Sequence, residues 1–435
     1  MSGSNQLWTS ADLVPSGDDL MEQVVDRRNM IKACKRVVAN EGNPGVDEMT
    51  TQELPGWLQR NLDRLSGSLL EGIYCPQPVR LAEIEKPGGG KRALGIPTVV
   101  DRMIQQAIHQ VLNPLFDPDF STSSFGYRKG KSAEQAVLQA QRLQQEGKRW
   151  VVDVDLSKFF DEVNHDVLMA KIKRKVKDKR VLKLIDLYLR TGIMQGGVAS
   201  PRMKGTPQGS PLSPLLSNIL LNELDQELEK RGHSFCRYAD DFVVFVKSEK
   251  AAQRVYDSVI SFIERKLKLK INESKSRITK GHRLTFLGYG FMPGEQVRLT
   301  VPKDVRKRFR RKAKLLFRKG RGMNLHRFIT DYLNPFLRGW INYYKHCKVK
   351  TIAEDLDSWI RRRLRLIIWR QWKKPRTRFK RFTSMGFDYD HAMQCAYNGR
   401  GEWWNSGSQH MNFAFPKSSF ARLGLVSLLD TVVFR

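Results

Sequence analysis

The stretch Cys236-Arg237-Tyr238-Ala239-Asp240-Asp241-Phe242-Val243-Val244-Phe245-Val246 leaves few folds open. Val243 to Val246 is a continuous apolar run of strand composition, as a strand covered on both faces would be. The two adjacent carboxylates at its head fall in the turn of a hairpin. There they serve either as solvated turn formers or as ligands for a cation. A second acidic stretch, Trp150-Val151-Val152-Asp153-Val154-Asp155-Leu156-Ser157-Lys158-Phe159-Phe160-Asp161, favours the cation. On a strand, Asp153 and Asp155 share one face, while Val152, Val154 and Leu156 point to the other. Carboxylates on an apolar strand are costly to bury unless neutralised, and hard oxygen donors on short side chains suit Mg²⁺. Two such ions would activate an attacking oxygen and stabilise a leaving one in phosphoryl transfer. Strand geometry alone leaves Asp153 and Asp155 as alternatives.

The charge balance names the partner. The 435 residues, 40% of them hydrophobic, are enough for two or three domains with ordinary cores. Against 45 acidic residues stand 76 basic ones, and a net charge of +31 requires a polyanion, either nucleic acid or an anionic membrane surface. No apolar run approaches the roughly 20 residues of a membrane span, and the first residues lack a signal-peptide pattern, so nucleic acid is favoured. Five cysteines stand singly with no C-x-x-C, which argues against zinc and disulfides and fits a reducing cytoplasm.

Tyr238-Ala239-Asp240-Asp241 resembles the YxDD box of reverse transcriptases, and Asp155-Leu156-Ser157-Lys158-Phe159-Phe160-Asp161 resembles their first metal motif. Lys91 to Pro97, Ser124-Phe125-Gly126-Tyr127-Arg128, Gly205-Thr206-Pro207-Gln208-Gly209-Ser210, Leu269-Lys270-Ile271-Asn272 and Phe286-Leu287-Gly288-Tyr289 resemble, in order, further blocks of the bacterial group II intron enzymes. The resemblance covers nearly the whole chain. It implies an α+β right-hand polymerase, with fingers and a palm built on an antiparallel sheet, followed by an α-helical thumb and a small C-terminal region. The implied activity is RNA-directed DNA synthesis, with Asp155, Asp240 and Asp241 catalytic. Asp155, Leu156, Asp240 and Asp241 hold two Mg²⁺ ions, for which Mn²⁺ could substitute. The resemblance decides for Asp155 over Asp153, because Asp155 stands four residues before Phe159. It assigns the nucleotide to Lys86, Arg92, Phe159 and Gln208, with Phe159 as a steric gate against ribonucleotides. The implied partners are a template RNA of group II intron type, a DNA or RNA primer, deoxynucleoside triphosphates and target DNA, in a protein that assists splicing and retrohoming. A host-adapted repair polymerase is an alternative within the class. An inactive RNA-binding maturase is another, against which the intact carboxylates count.

The rest of the chain divides by composition. Residues 1–70 form an N-terminal extension; its helical stripe of Val24, Met30, Cys34 and Val37 ends at Gly42-Asn43-Pro44-Gly45, and the resemblance implies that the loop there holds template. Residues 71–301 are the expected fingers and palm. Within them Val100, Met103, Ile104, Ala107 and Val111 repeat at helical spacing, leaving Arg102, Gln105, Gln106 and His109 on an opposite, polar surface. The block Gly209-Ser210 replaces a Gly-Gly of many relatives, which a serine can do only where no positive φ is needed. Residues 302–382 are the expected thumb, with 27 Lys/Arg against 5 Asp/Glu and apolar stripes for three helices. Arg306, Arg310, Arg311, Lys314, Arg338, Arg361 and Arg362, together with Arg128, are the expected nucleic-acid contacts. Residues 383–435 resemble, at Ala396 to Trp404 and Leu423 to Leu429, the DNA-binding tail of the smaller intron enzymes, with no Cys/His-rich endonuclease segment.

Overall fold

The structure is a computed structural model that describes residues 19–85, 91–195, 198–200, 204–206, 209–347 and 350–433. The chain divides into two units, Met1–Gly281 and His282–Arg435. In the first, the described strands are β1 (Val79–Glu85), β2 (Lys91–Ile96), β3 (Trp150–Val154), β4 (Ile193–Gln195), β5 (Val198–Ser200), β6 (Ser234–Tyr238), β7 (Asp241–Val246) and β8 (Arg277–Lys280). They form two four-stranded sheets, in the orders β2-β1-β4-β5 and β6-β7-β3-β8.

The second of these sheets is the expected palm. β6 and β7 make the hairpin, closing at Tyr238↔Asp241, and β3 runs antiparallel to β7 from Trp150↔Val246 to Val154↔Phe242. The two-residue period sorts its side chains. Val152, Val154, Leu156, Phe242, Val244 and Val246 enter the main hydrophobic core, while Val151, Val243 and Phe245 are buried outside that cluster, on the face that carries Asp153. The helix Glu249–Phe262 packs against β3, β7 and β8; Ala133–Gln145 and Ser213–Lys230 pack against β6. The helix Val99–Phe116 departs from its expected surface role. Arg102 and Gln105 are buried and His109 is half-buried: the Arg102 guanidinium donates to the Asn43 carbonyl at 2.8 Å, Gln105 takes the Ser210 hydroxyl, and the Arg27–Ala39 helix packs on this helix. Burial lowers the pKa of His109, and Arg36 adds to the shift.

The second unit holds a three-stranded antiparallel sheet, β9 (Thr285–Phe286), β10 (Tyr289–Met292) and β11 (Arg298–Thr300), followed by helices. The helices Lys303–Lys319, Asn334–Tyr343 and Lys350–Gln371 realise the three sequence stripes. Pro335 sits in the first turn of the Asn334–Tyr343 helix, after a π-helical turn at Ile329–Leu333. The expected division at residue 382 does not separate two cores. Phe309, Leu337, Leu364 and Trp369 share one cluster with Phe382, Met411, Phe420 and Leu428, so the last helices seal the bundle. Asp357 latches the final one. Its carboxylate accepts from Ser427 Oγ at 2.8 Å and from the backbone N–H groups of Leu428 and Leu429 at 3.0 and 3.1 Å. Replacing that carboxylate leaves three donors at a largely buried site, so Asp357→Ala should cost about 1–3 kcal/mol. Urea unfolding, with limited proteolysis after residue 420 as a local readout, checks this; an unchanged midpoint and cleavage rate would show the latch to be idle.

Candidate active site

The turn that carries Asp240 is held from below. Ala239 adopts φ 60, a conformation L residues rarely take, and its amide lies against Gly126: a Cβ there would come within 2.2 Å of Ala239 N. Arg237, fully buried, donates to both carboxylate oxygens of the equally buried Asp225, with Nε–Oδ1 at 2.8 Å and Nη2–Oδ2 at 2.5 Å. Its Nη1 donates to the carbonyl of Ala239 at 3.0 Å and to Asn218 Oδ1 at 2.9 Å. Asn218 in turn donates to the Gly126 carbonyl at 2.9 Å. Burial raises the Asp225 carboxyl and the guanidinium opposes it. Arg237, Asp225 and Asn218 were not singled out by sequence reasoning. Asn218 and Asp225, polar residues among the leucines of the Ser213–Lys230 helix, were the available signal.

The carboxylates converge. β3 pairs with β7 up to Val154↔Phe242, so the next step of the register sets Asp155 opposite Asp241, on the same face as Asp153. Asp155 is positioned by the Leu269-Lys270-Ile271-Asn272 block and the residues after it: Asn272 Nδ2 donates to Oδ1 at 3.0 Å, Ser276 Oγ accepts the Asp155 N–H at 3.0 Å, and Lys275 Nζ stands 3.4 Å from Oδ2. Asp153 is matched by Arg277, Nε to Oδ2 at 3.4 Å. Burial raises its pKa, Arg277 opposes that, and Asp155 adds to the rise. Asp241 is solvent-exposed as a residue, but its carboxyl lies in the dense acidic recess. Desolvation there, followed by the charges of Asp153, Asp240 and Asp155, pushes it up to about 7, with Lys275 opposing. Carboxylates repelling one another on one face suit a divalent cation. Among the described residues no three His, Cys, Asp or Glu side chains close a metal cage by themselves, so water and substrate oxygens would have to complete the shell. Leu156 is buried in the core, which leaves its main-chain carbonyl as its one possible metal donor.

The first unit also holds a recess of about 510 Å³, bounded by Asn40, Gly42, Arg102, Gln106, Tyr127, Phe160, Gly209 and Ser210; none of the aspartates lines it. Phe159 is 2% exposed and belongs to the core, whereas Phe160, edge-on to it at 5.2 Å, lines the open space. Phe159 opens a short helical turn, Phe159–Glu162. Gly205 packs on the carbonyls of Phe160 and Asp161, each 2.8 Å from where a Cβ would stand, and the Thr206 N–H donates to the Phe160 carbonyl at 2.6 Å. The positive φ angles among the described residues of this loop fall on Gly205 (φ 90) and Gly209 (φ 113) and spare Ser210, whose hydroxyl bonds the buried Gln105 side chain. Arg128 is an expected nucleic-acid contact. It turns inward, donating to Asp117 Oδ1 at 2.8 Å and to the carbonyls of Ser121 and Ser124 at 2.6 and 3.0 Å, and so holds the loop before Gly126. Arg92 lies on β2, its backbone paired with Ile84; Lys86 and Gln208 fall outside the described residues. In the second unit Arg311, Lys314 and Arg338 are exposed and Arg306, Arg361 and Arg362 half-buried, while Arg310 pairs with Asp355 at 2.6 Å.

An antiparallel sheet presenting aspartates from two neighbouring strands, one pair on an anchored tight turn, defines the palm of a nucleotide-polymerising enzyme. The family model for reverse transcriptase (RNA-dependent DNA polymerase) matches residues 84–291, and that for the group II intron maturase-specific domain matches residues 306–386. The chain is 32% identical over 325 residues to protein YkfC of Escherichia coli (strain K12), covering 64% of this chain and 85% of that one. It is 30% identical over 300 residues to the group II intron-encoded protein LtrA of Lactococcus lactis subsp. cremoris, covering 54% of this chain and 50% of LtrA. A chain of a partial Cas6-RT-Cas1–Cas2 complex matches at 27% identity and a TM-score of 0.35, over 56% of this chain and 42% of that one. The protein belongs to the reverse transcriptases of the group II intron family, joining an RNA-directed DNA polymerase to a maturase domain. Among the described residues no helix is long and apolar enough to cross a membrane.

The buried pair beneath the turn has a measurable consequence. Removing one partner strands a buried charge, so Asp225→Ala and Arg237→Met should each lower stability by about 3–5 kcal/mol. Chemical denaturation measures it. The double variant should recover part of the loss, and simple additivity of the two would count against the pairing.

Proposed function

We propose that Asp155 and Asp240, with Asp241 beside them, form the metal-binding and catalytic centre for copying RNA into DNA, the carbonyl of Leu156 completing the protein's donors. The observation that carries this reading is the convergence of Asp155, Asp241 and Asp153 on one sheet face, with an Arg237-anchored turn presenting Asp240. Two Mg²⁺ ions, or Mn²⁺ in their place, would supply Lewis acidity to the primer hydroxyl and charge neutralisation at the leaving phosphate. The remaining work falls to the chain itself. Arg277 and Lys275 stand 3.4 Å from Asp153 and Asp155 respectively, so the choice of Asp155 as the ligand on β3 rests on its place in the family's first metal motif. Asn272 and Ser276 fix the position of Asp155, and Phe160 faces the recess in which a nucleotide sugar would sit. Lys86, Arg92 and Gln208 remain the proposed triphosphate and base contacts. The exposed cations of the second unit would hold the template and primer phosphates, with intron RNA as template and DNA as the target of retrohoming in a bacterial cytoplasm.

Asp240→Asn keeps the side-chain volume but removes a charge. Primer extension should fall by orders of magnitude, with RNA affinity nearly unchanged because phosphate contacts lie on remote basic surface. Near-normal synthesis would remove Asp240 from the centre.

The sugar preference separates the two phenylalanines. A ring at Phe160 leaves a 2′-hydroxyl without room or partner, which costs roughly 1–3 kcal/mol, so Phe160→Val should lower the deoxyribonucleotide to ribonucleotide incorporation ratio by about one to two orders of magnitude. Phe159→Ala should instead destabilise the unit by about 3–5 kcal/mol and impair both nucleotide types together. Single-turnover incorporation with each nucleotide distinguishes them; a ratio that shifts only in Phe159→Ala would reverse the assignment.

A further inference from the structure

A ring such as Phe160 rejects a bulkier sugar only when the rest of the recess holds still. If another part of the lining yields, the nucleotide moves off the ring and the added hydroxyl is accommodated. That lining includes Gly209 and Ser210 from the loop and Arg102 and Gln106 from the Val99–Phe116 helix. The loop is tied down at both of its described ends. At the first, the Gly205 N–H donates to the Val163 carbonyl at 2.8 Å and the Thr206 N–H to the Phe160 carbonyl at 2.6 Å, so this end follows the segment that carries the ring. At the second, Gly209 lies against β2, with the Gly95 carbonyl 3.1 Å from where a Cβ would stand. Beside it the Ser210 hydroxyl donates to Gln105 Oε1 of the Val99–Phe116 helix. The same oxygen accepts the Leu212 N–H at 3.3 Å, one residue before the Ser213–Lys230 helix begins.

Gln105 is 2% exposed and Ser210 7%, so solvent does not compete for this bond. It joins two parts of the recess lining, since Ser210 and Gln106, the neighbour of Gln105, both face that space. A glycine at this position, as in the Gly-Gly form of the block, has no hydroxyl with which to make it. We propose that Ser210 and Gln105 are a positioning pair that sets sugar specificity. The hydroxyl pins the loop to the helix, and the recess keeps its width when a 2′-hydroxyl presses on Phe160. The proposal rests on the reading of the recess as the place of the nucleotide sugar. Gln105 acts through Ser210, and the chemistry stays with the carboxylates.

Full-length Ser210→Ala, Gln105→Leu and their double variant are compared with Phe160→Val in single-turnover incorporation of deoxyribonucleotides and ribonucleotides on a primed RNA template. Ser210→Ala removes one oxygen at a position without a positive φ, so it carries the test even where Gln105→Leu fails to fold; thermal unfolding monitors both. Ser210→Ala should lower the deoxyribonucleotide to ribonucleotide ratio of kcat/KM by about threefold to tenfold, the worth of one hydrogen bond, chiefly through better use of the ribonucleotide. Gln105→Leu should do the same, and the double variant should be no worse than either single one. A double loss equal to the product of the single losses would show two independent effects and overturn the pairing. If Phe160→Val shifts the ratio while the Ser210 and Gln105 variants leave it unchanged, or slow both nucleotides in equal proportion, the pair merely supports the fold and the proposal fails, with the reading of the recess intact. If Phe160→Val itself leaves the ratio unchanged, that reading fails and the proposal falls with it.

Discussion

The Arg237–Asp225 pair is the interaction on which the turn carrying the proposed catalytic carboxylates of this reverse transcriptase depends. Both side chains are fully buried, a location that is favourable only when the geometry is bidentate and the remaining donors are satisfied. Both conditions are met. The spare guanidinium donor goes to Ala239 and Asn218, and through Asn218 to Gly126, so the left-handed turn at Ala239 is fixed from the helix, from the neighbouring loop and from its own strand at once. A turn carrying two carboxylates tends to open under its own repulsion. Here the charge that resists opening sits on the protein side of the turn, leaving the other side clear for cations.

The same division of labour runs through the site. Arg277 stands beside Asp153, Asn272 and Lys275 hold Asp155, and Asp241 is raised by desolvation and by the neighbouring carboxylates. A chain with a net charge of +31 could have quenched all of these carboxylates with lysine and arginine. Most of its excess lies instead between Pro302 and Phe382, on helices whose narrow apolar stripes leave the rest of their surface to cations.

The β6–β7 hairpin, the two-faced β3, the order of motifs and the thumb stripes were legible in the sequence, because each rests on local periodicity or on spacing within one segment. Leu156, Val154 and Val152 fell on the core face that alternation required. What was not legible needed a third dimension. Phe159 and Phe160 are chemically identical, and a helical turn beginning there decides which one is core. Arg128 looks like any exposed basic residue until Asp117 and two carbonyls are brought to it. Arg102 and Gln105 form a polar face that a second helix then covers. The residues after 382 show weak periodicity because short helices add single anchors, such as Phe420 and Leu428, to a core made elsewhere.

That shared core bears on how the second unit forms. Its closing contacts join positions far apart in the chain: Asn334 to Val426, 92 residues on, and Asp357 to Leu428, 71 on. Non-local closure slows folding, since loop entropy is lost before the contacts that compensate for it are made. Phe420 and Leu428 are therefore as much a part of the core of this unit as the residues of the long helices, although they stand near the end of the described chain.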